Sequence, residues 1–149
     1  MKIQLLSEGS PPPYSLLLLA DPSKELIDNY LQAGECYIGK IETAIVGVLV
    51  LIPVEGKALE IKNIAIDPNF QGKGHGKQLL RFAEKIAKQQ AYQSLLIGTG
   101  NSSVGQLALY QKMGFEMDHL KKNFFIENYE EPIVEIGIVC IHMVMFIKN

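Results

Sequence analysis

The sequence predicts a mixed α/β fold with a mostly antiparallel sheet. Three observations predict it: Ile- and Val-rich segments follow one another between residues 35 and 68, a helical pattern begins directly after them, and shorter strand and helix patterns alternate to the end. With 149 residues, of which 48% are hydrophobic, the chain can bury a full-sized core and has the length of one compact domain. We therefore expect a single domain over residues 1–149.

The N-terminal third predicts one strand and a helical region. The strand is KIQLL, and the helical region covers YSLLLLA and DPSKELIDNYLQAG. Asp21 is expected to be an N-cap, Pro22 the first helical residue and Gly34 the stop, because these residue types favour those positions.

The next region predicts an antiparallel meander of three strands. Its segments are ECYIGKIE, TAIVGVLVLIPV and KALEIKNIAIDP, with a tight turn near Glu42. Ile and Val favour strands, and Pro68 ends the third segment.

The second half predicts two helices and three strands. From Lys73 to Gln90, apolar residues recur with a helical period and basic or acidic residues occupy the other side. The strand YQSLLIGTG follows, and Ser102 or Ser103 can cap a helix through Met113. FEMDHL and IGIVCIHMVMFI are the last two strand patterns.

Composition and charge exclude several classes of function. The formal net charge of −2 and the pI of about 5.9 give no basic surface for nucleic acid, whose binding needs neutralised phosphates. The N-terminus lacks the pattern of a signal peptide. The longest apolar runs are about a dozen residues, short of the ~20 that a membrane-spanning helix needs. We expect no nucleic-acid or membrane partner and a cytoplasmic location.

The cysteines and histidines predict no metal site. Cys36 and Cys140 lie far apart and form no CxxC pair, which suits a reducing compartment. Cys140 and His142 would share one face of the last strand, but two ligands do not make a zinc site. They are interpreted as core or pocket-lining residues.

A glycine-rich loop before the long helix predicts a phosphate-binding site. It is Gln71-Gly72-Lys73-Gly74-His75-Gly76, and helix starts of this kind favour anions. The Walker form fails because Gln78 stands where Ser or Thr is needed. The dinucleotide form GxGxxG fails because Lys77 stands at the third glycine position.

The loop, of the form [RQ]xxGx[GA], resembles the pyrophosphate loop of the GNAT superfamily of N-acetyltransferases. LEIKNIAIDP before it, GKQLLRFAEKIA behind it and GTGNSSVGQLALYQKMGF about thirty residues on agree with this resemblance. The resemblance implies a central sheet of six to seven strands flanked by about four helices, with a V-shaped splay between strands 4 and 5. It also implies acetyl-CoA as co-substrate and no metal.

The resemblance assigns cofactor-binding roles to residues around the loop. Backbone groups of Ile64, Ala65 and Ile66 would pair with the pantetheine arm, although their side chains are equally expected in the core. The residues that would wrap the pyrophosphate are Gln71, Gly72, Lys73, Gly74, His75 and Gly76. Lys73 or Lys77 would add positive charge or lie in solvent, and Asn101 would contact the cofactor or only form a turn.

The same resemblance assigns two catalytic candidates. Tyr110, in LALYQKMGF, would protonate the leaving thiolate, since reference pKa values of phenol and thiol lie within about two units. Its alternative role is packing on an amphipathic helix. Glu60 would accept the proton of the amine, or else only occupy a strand edge.

The acceptor stays open between two kinds of amine. Acidic residues late in the chain favour a small cationic primary amine, and a protein N-terminus or lysine is the alternative. A non-catalytic module that binds acyl-CoA is a third reading. The resemblance also implies that a homodimer is common among relatives.

Overall fold

The computed structural model describes all residues 1–149, which divide into two compact units, residues 1–93 and 94–149. The elements of the first unit are β1 (Lys2–Leu5), α1 (Tyr14–Ala20), α2 (Lys24–Ala33), β2 (Glu35–Ile41), β3 (Ala44–Val54), β4 (Ala58–Ile66), a short 3₁₀ turn (Pro68–Phe70) and α3 (His75–Gln89). The elements of the second unit are β5 (Ser94–Gly100), α4 (Val104–Lys112), β6 (Glu116–Lys121), α5 (Phe124–Asn128), β7 (Val134–Glu135), β8 (Ile138–Val139) and β9 (Met143–Lys148).

The first unit is an antiparallel meander with helices on both faces. β1, β2, β3 and β4 pair in sequence order, so the predicted meander is confirmed. On one face, Val48 and Val50 of β3 form a buried cluster with α1 and α2. On the other face, Gly47 and Ile66 lie beside Leu79 of α3. Both faces are covered, which explains why β3 is apolar along most of its length.

The start of α2 differs from the sequence prediction. Ser23 is the N-cap, and its hydroxyl accepts a hydrogen bond from the Leu26 amide at 3.2 Å. Asp21 instead ends α1, and its carboxylate accepts from the Ser23 amide at 3.0 Å. Asp21 therefore closes the turn between the helices, and α2 begins at Lys24 rather than at Pro22. Gly34 is the C-cap as predicted, and glycine is required there since a Cβ would lie 2.2 Å from the Leu51 carbonyl oxygen.

In the second unit, β5, β9 and β6 are neighbours in the seven-stranded sheet and pair antiparallel in that order, and β7 and β8 form a separate hairpin. Four strands in the first unit and three in the second match the predicted six to seven. Tyr110 packs against Phe115 and against Phe146 of β9 within this unit. The fold class is α/β, as predicted, with five helices.

The predicted last strand is wrong in one respect, since it is interrupted. Residues 140–142 separate β8 from β9. Their backbone N–H groups donate outside a strand ladder, that of Cys140 to the Ile133 carbonyl and those of Ile141 and His142 to the Asn101 side chain. Cys140 and His142 therefore do not share one face of a strand.

Candidate functional site

The loop between β4 and α3 has a backbone that requires glycine at two positions. Gly72 and Gly74 have φ of +76° and +85°, in the left-handed region that other residues adopt only with strain. Before them, the Asp67 carboxylate caps the short 3₁₀ turn by accepting from the Asn69 amide at 2.8 Å. These local features turn the chain sharply from the end of β4 into α3.

Gly76 has neither of the usual reasons to be glycine. Its φ lies outside the left-handed region, and a Cβ built on it meets no atom within 4 Å. The same open space surrounds Gly72 and Gly74. Neither strain nor packing within the protein explains the missing Cβ at Gly76, whereas a ligand that approaches the backbone closely would explain it.

The start of α3 leaves donors for an anion. The N-cap, Gly74, has no side chain to accept from the first-turn amides, and no acidic residue lies in that turn. The N–H groups of His75, Gly76 and Lys77 therefore have no partner within the helix, and the positive end of the helix dipole lies beside them. Lys73 and Lys77 are exposed. These groups fit a phosphate or pyrophosphate.

Gln71 holds the loop against β4. Its side-chain amide donates to the Ile66 carbonyl at 2.9 Å, so this group braces the loop. Ile64, Ala65 and Ile66 pair with Leu49, Val48 and Gly47 of β3. Since an antiparallel partner takes the backbone groups of alternate residues, the other groups in this stretch point away from β3.

Glu60 is a buried carboxylate whose exposed fraction is 7%. Its Oε2 lies 3.5 Å from the Lys62 ammonium. Lys62 is the extra residue of a β-bulge, because Ile61 pairs with Leu51 and Asn63 pairs with the next residue of β3. The bulge places Glu60 and Asn63 on the same face of β4, the face that α1 and α2 cover.

A buried polar cluster accompanies Glu60, and sequence reasoning missed it. The Asn63 amide donates to the Tyr30 hydroxyl oxygen at 2.9 Å and to the Leu17 carbonyl at 3.0 Å, and Tyr30 donates to Asp21 at 3.1 Å. Oδ1 of Asn63 is buried without a partner. Burial raises the pKa of Tyr30 far above its ordinary value. An Asn inside the apolar segment LEIKNIAID was the signal for this cluster.

The Lys62 side chain adds a cation to this cluster. Its ammonium lies 5.8 Å from the centroid of the Tyr30 ring, a distance within the range of cation–π contact. Glu60 and Tyr30 thus together stabilise a primary ammonium group at this face of β4. Local sequence patterns do not single out Lys62, because a single lysine in a strand is most often a solvated residue.

Tyr110 lies in α4 with an exposed fraction of 5%. Its ring packs edge-on against Phe146 at 5.6 Å between centroids and is tilted against Phe115 at 6.2 Å. Burial raises the pKa of its hydroxyl to about 12. The packing role and a chemical role for the hydroxyl are compatible, because the aromatic contacts use the ring.

Asn101 follows β5 and is largely committed to hydrogen bonds within the second unit. Its Oδ1 accepts from the amides of Ile141 at 2.7 Å and His142 at 2.9 Å, and its Nδ2 donates to the Val139 carbonyl at 3.1 Å. One Nδ2 hydrogen is left for another partner. The nearby hydroxyls of Ser102 and Ser103 both donate to Glu135 Oε1 at 2.8 Å.

The structure gathers the predicted residues into two groups. Glu60, residues 64–66 and the loop 71–77 belong to the first unit, whereas Asn101 and Tyr110 belong to the second. His142 accepts from the Asn123 amide at 2.9 Å through Nδ1. No group of three or more His, Cys, Asp or Glu side chains is placed to hold a metal ion. No helix is long and apolar enough to cross a membrane.

Comparison with known proteins identifies relatives along the whole chain. Residues 4–115 match the family model described as acetyltransferase (GNAT) family. A Bacillus subtilis (strain 168) protein described as uncharacterized N-acetyltransferase YvbK is 45% identical over 97% of this chain and 93% of its own length.

Two solved structures have nearly the same fold. One is a GNAT family acetyltransferase from Elizabethkingia anophelis with acetyl-CoA bound, with a TM-score of 0.96 and 52% identity, covering 98% of this chain and 95% of that one. The other is an IAA acetyltransferase from Bacillus cereus ATCC 14579, with a TM-score of 0.93 and 46% identity, covering 98% of this chain and 97% of that one. These structures confirm the fold that the sequence resemblance implied.

Proposed function

Because the chain belongs to the acetyltransferase (GNAT) family and is an N-acetyltransferase, we propose that it transfers the acetyl group of acetyl-CoA directly to a primary amine of a small cationic molecule. The acetyl-CoA bound to the Elizabethkingia anophelis relative supports the choice of co-substrate.

The observation that carries the proposal is the open glycine loop at the start of α3. The first-turn amides of α3 would bind the pyrophosphate, and Gly72, Gly74 and Gly76 would let it approach the backbone. Lys73 and Lys77 would add positive charge, and Gln71 would keep the loop in place. Backbone groups of residues 64–66 that point away from β3 would pair with the pantetheine arm. Asn101 would donate its remaining amide hydrogen to the cofactor.

Acetyl transfer needs a neutral amine, a stabilised oxyanion and a stabilised leaving thiolate. The amine nitrogen attacks the thioester carbon, the C–N bond forms, and the C–S bond breaks. We assign the amine proton to Glu60, directly or through water, because a carboxylate can hold the ammonium form and then receive its proton. Tyr110 donates to the sulfur.

The raised pKa of Tyr110 defines what its hydroxyl can do. With a pKa of about 12, the phenol is protonated at neutral pH and is ready to donate. Complete transfer of its proton to a thiolate whose conjugate acid has a pKa of ~8.5 is uphill by ~5 kcal/mol. This cost is larger than the one that the reference pKa values of phenol and thiol imply. A hydrogen bond to the developing thiolate, worth ~1.5–3 kcal/mol, is therefore its main contribution, with the proton following as CoA departs.

The surroundings of Glu60 support a cationic acceptor. This carboxylate already lies 3.5 Å from one primary ammonium, that of Lys62, beside the ring of Tyr30. An acceptor ammonium would make the same contacts if Lys62 moved aside. Exposed acidic residues late in the chain, Glu127, Glu130 and Glu131, would attract cations to the protein.

The proposal is tested by assaying CoA thiol release with acetyl-CoA and a panel of acceptors. The panel contains polyamines, aminoglycosides, lysine peptides and peptides with free N-termini, together with the IAA acceptor named for the Bacillus cereus relative. We expect turnover with one of the small cationic amines. Turnover on peptides alone would refute the acceptor class, and a reaction without acceptor measures background hydrolysis of acetyl-CoA.

A further inference from the structure

The Lys62 side chain brings an amine of the protein itself to the proposed base. Its Nζ lies 3.5 Å from Glu60 Oε2, and the two side chains are only 23% and 9% exposed. The same ammonium lies 5.8 Å from the centroid of the Tyr30 ring. Lys62 therefore occupies, within the first unit, the place that the proposed function gives to the ammonium of an acceptor.

The order of elements around β4 sets which end of acetyl-CoA would approach Lys62. The glycine loop and the start of α3, which would bind the pyrophosphate, follow the C-terminal end of β4 at Ile66. A pantetheine arm paired with residues 64–66 would therefore run back along β4, with its thioester end toward residues 62 and 60. Two residues of a strand span roughly 6.5 Å, a distance that the flexible four-carbon stem of a lysine can cross.

We propose that the Lys62 amine is itself an acetyl acceptor, so that the protein modifies its own chain when acetyl-CoA is bound. This inference rests on the proposed function, because it uses the same base and the same co-substrate. Glu60 takes one proton from the Lys62 ammonium and later releases it to solvent, and Nζ attacks the thioester carbon. The C–N bond forms and the C–S bond breaks. A second proton of the nitrogen passes to the thiolate, which leaves as CoA.

Acetylation of Lys62 would change the surroundings of the base. The amide product has no ammonium to pair with Glu60 and no cation to place beside the Tyr30 ring. In the unmodified chain, the internal amine and an added amine compete for the same carboxylate. In the modified chain this competition is absent, so acetylation would open the site to a cationic acceptor.

A second lysine of the first unit provides a matched control. Lys24 Nζ lies 2.8 Å from Asp28 Oδ2 and 4.6 Å from the centroid of the Tyr14 ring, and its side chain is 61% exposed. It thus has the same kinds of contact as Lys62, but on a helix and in solvent. Acetyl-CoA that reacts without guidance by β4 should modify the more exposed Lys24 at least as fast. Guided transfer should modify Lys62 at least about tenfold faster than Lys24.

Incubation of the full chain with acetyl-CoA and no acceptor, followed over time by peptide mass spectrometry, measures the two rates. We expect one acetyl group per chain, at Lys62. Glu60→Gln should slow this acetylation about 100-fold or more, whereas Asp28→Asn should leave it unchanged. Lys62→Arg keeps a cation but offers no amine that can be acetylated, so the intact chain should gain no mass. Thermal unfolding of each variant checks that it folds.

The outcomes separate this inference from the proposed function. Equal rates at Lys62 and Lys24, or an unchanged rate in Glu60→Gln, would overturn the self-acetylation. Turnover of an added amine by a chain whose Lys62 stays unmodified would overturn the self-acetylation alone and leave the proposed function intact. Acetylated Lys62 without turnover of any added amine would support the self-acetylation and count against the proposed acceptor class.

Discussion

Replacing Gly76 with alanine separates ligand binding from folding, because the two effects have opposite signs. In the ligand-free protein, the added Cβ meets no atom within 4 Å, and φ needs no left-handed conformation. Gly76 is the second residue of α3, where alanine suits a helix better than glycine does. The variant should fold more stably and bind CoA more weakly.

The size of each effect follows from the structure. Reduced entropy of the unfolded chain and better helix propensity stabilise by ~0.5–1 kcal/mol, which raises Tm by about 1–4 °C in a chain of this length. If the pyrophosphate lies against the Gly76 backbone, a methyl group takes its place. We expect a CoA dissociation constant at least about tenfold higher, which is ~1.4 kcal/mol.

The assay combines calorimetric titration with CoA and thermal unfolding without ligand, since bound ligand itself raises Tm. Gly105 offers a matched control, because it is the second residue of α4, and its Cβ also meets nothing within 4 Å. Gly105→Ala should stabilise similarly and leave CoA affinity unchanged. If Gly76→Ala is stabilised and binds CoA as tightly as the unchanged chain, the assignment of the loop is wrong.

Three other substitutions test the remaining roles. Tyr110→Phe keeps the aromatic packing and should lower kcat about 10–100-fold with unchanged CoA affinity; an unchanged kcat would exclude the donor role. Because the pKa of Tyr110 is about 12, its ionisation should not change the rate of the unchanged chain below about pH 10. Glu60→Gln should lower kcat at least about 100-fold with CoA binding intact. Steady-state or stopped-flow thiol release measures this, and a kcat equal to that of the unchanged chain would contradict the role of Glu60 as base. Asn101→Ala removes the acceptor of two amides and should cost about 1–3 kcal/mol of unfolding free energy, measured by urea denaturation; a stability equal to that of the unchanged chain would contradict its clamping role.

Local patterns predicted much of the fold and the loop. The meander, α3 and the strand–loop–helix around residues 66–77 each depend on neighbours in the sequence, such as the alternation of β4 and the helical period after Gly76. Competing phosphate motifs could be rejected from single positions, Gln78 and Lys77. Glycines that tolerate a left-handed backbone are likewise a local signal, and Gly72 and Gly74 adopt that conformation.

The less predictable features depend on hydrogen bonds between residues far apart in the sequence. Asp21 was expected to cap α2, but its carboxylate accepts from Ser23 and from Tyr30. From the sequence, Asn101 was expected to be a turn residue or a ligand contact. In the structure, its side chain accepts a hydrogen bond from the backbone amide of Ile141, forty residues further along the chain. Those same bonds interrupt the apolar run that the sequence presents as a single last strand.

The sequence by itself determined the class of fold, the glycine-rich turn before α3 and the family, because strand, helix and turn propensities and a glycine spacing are properties of short segments. Only the tertiary structure decided the environment of Glu60 and the faces of β4 and β6. Each of these strands contains one extra residue, Lys62 or Asp118. The position of a bulge is set by the register of the neighbouring strand, and it decides which side chains meet.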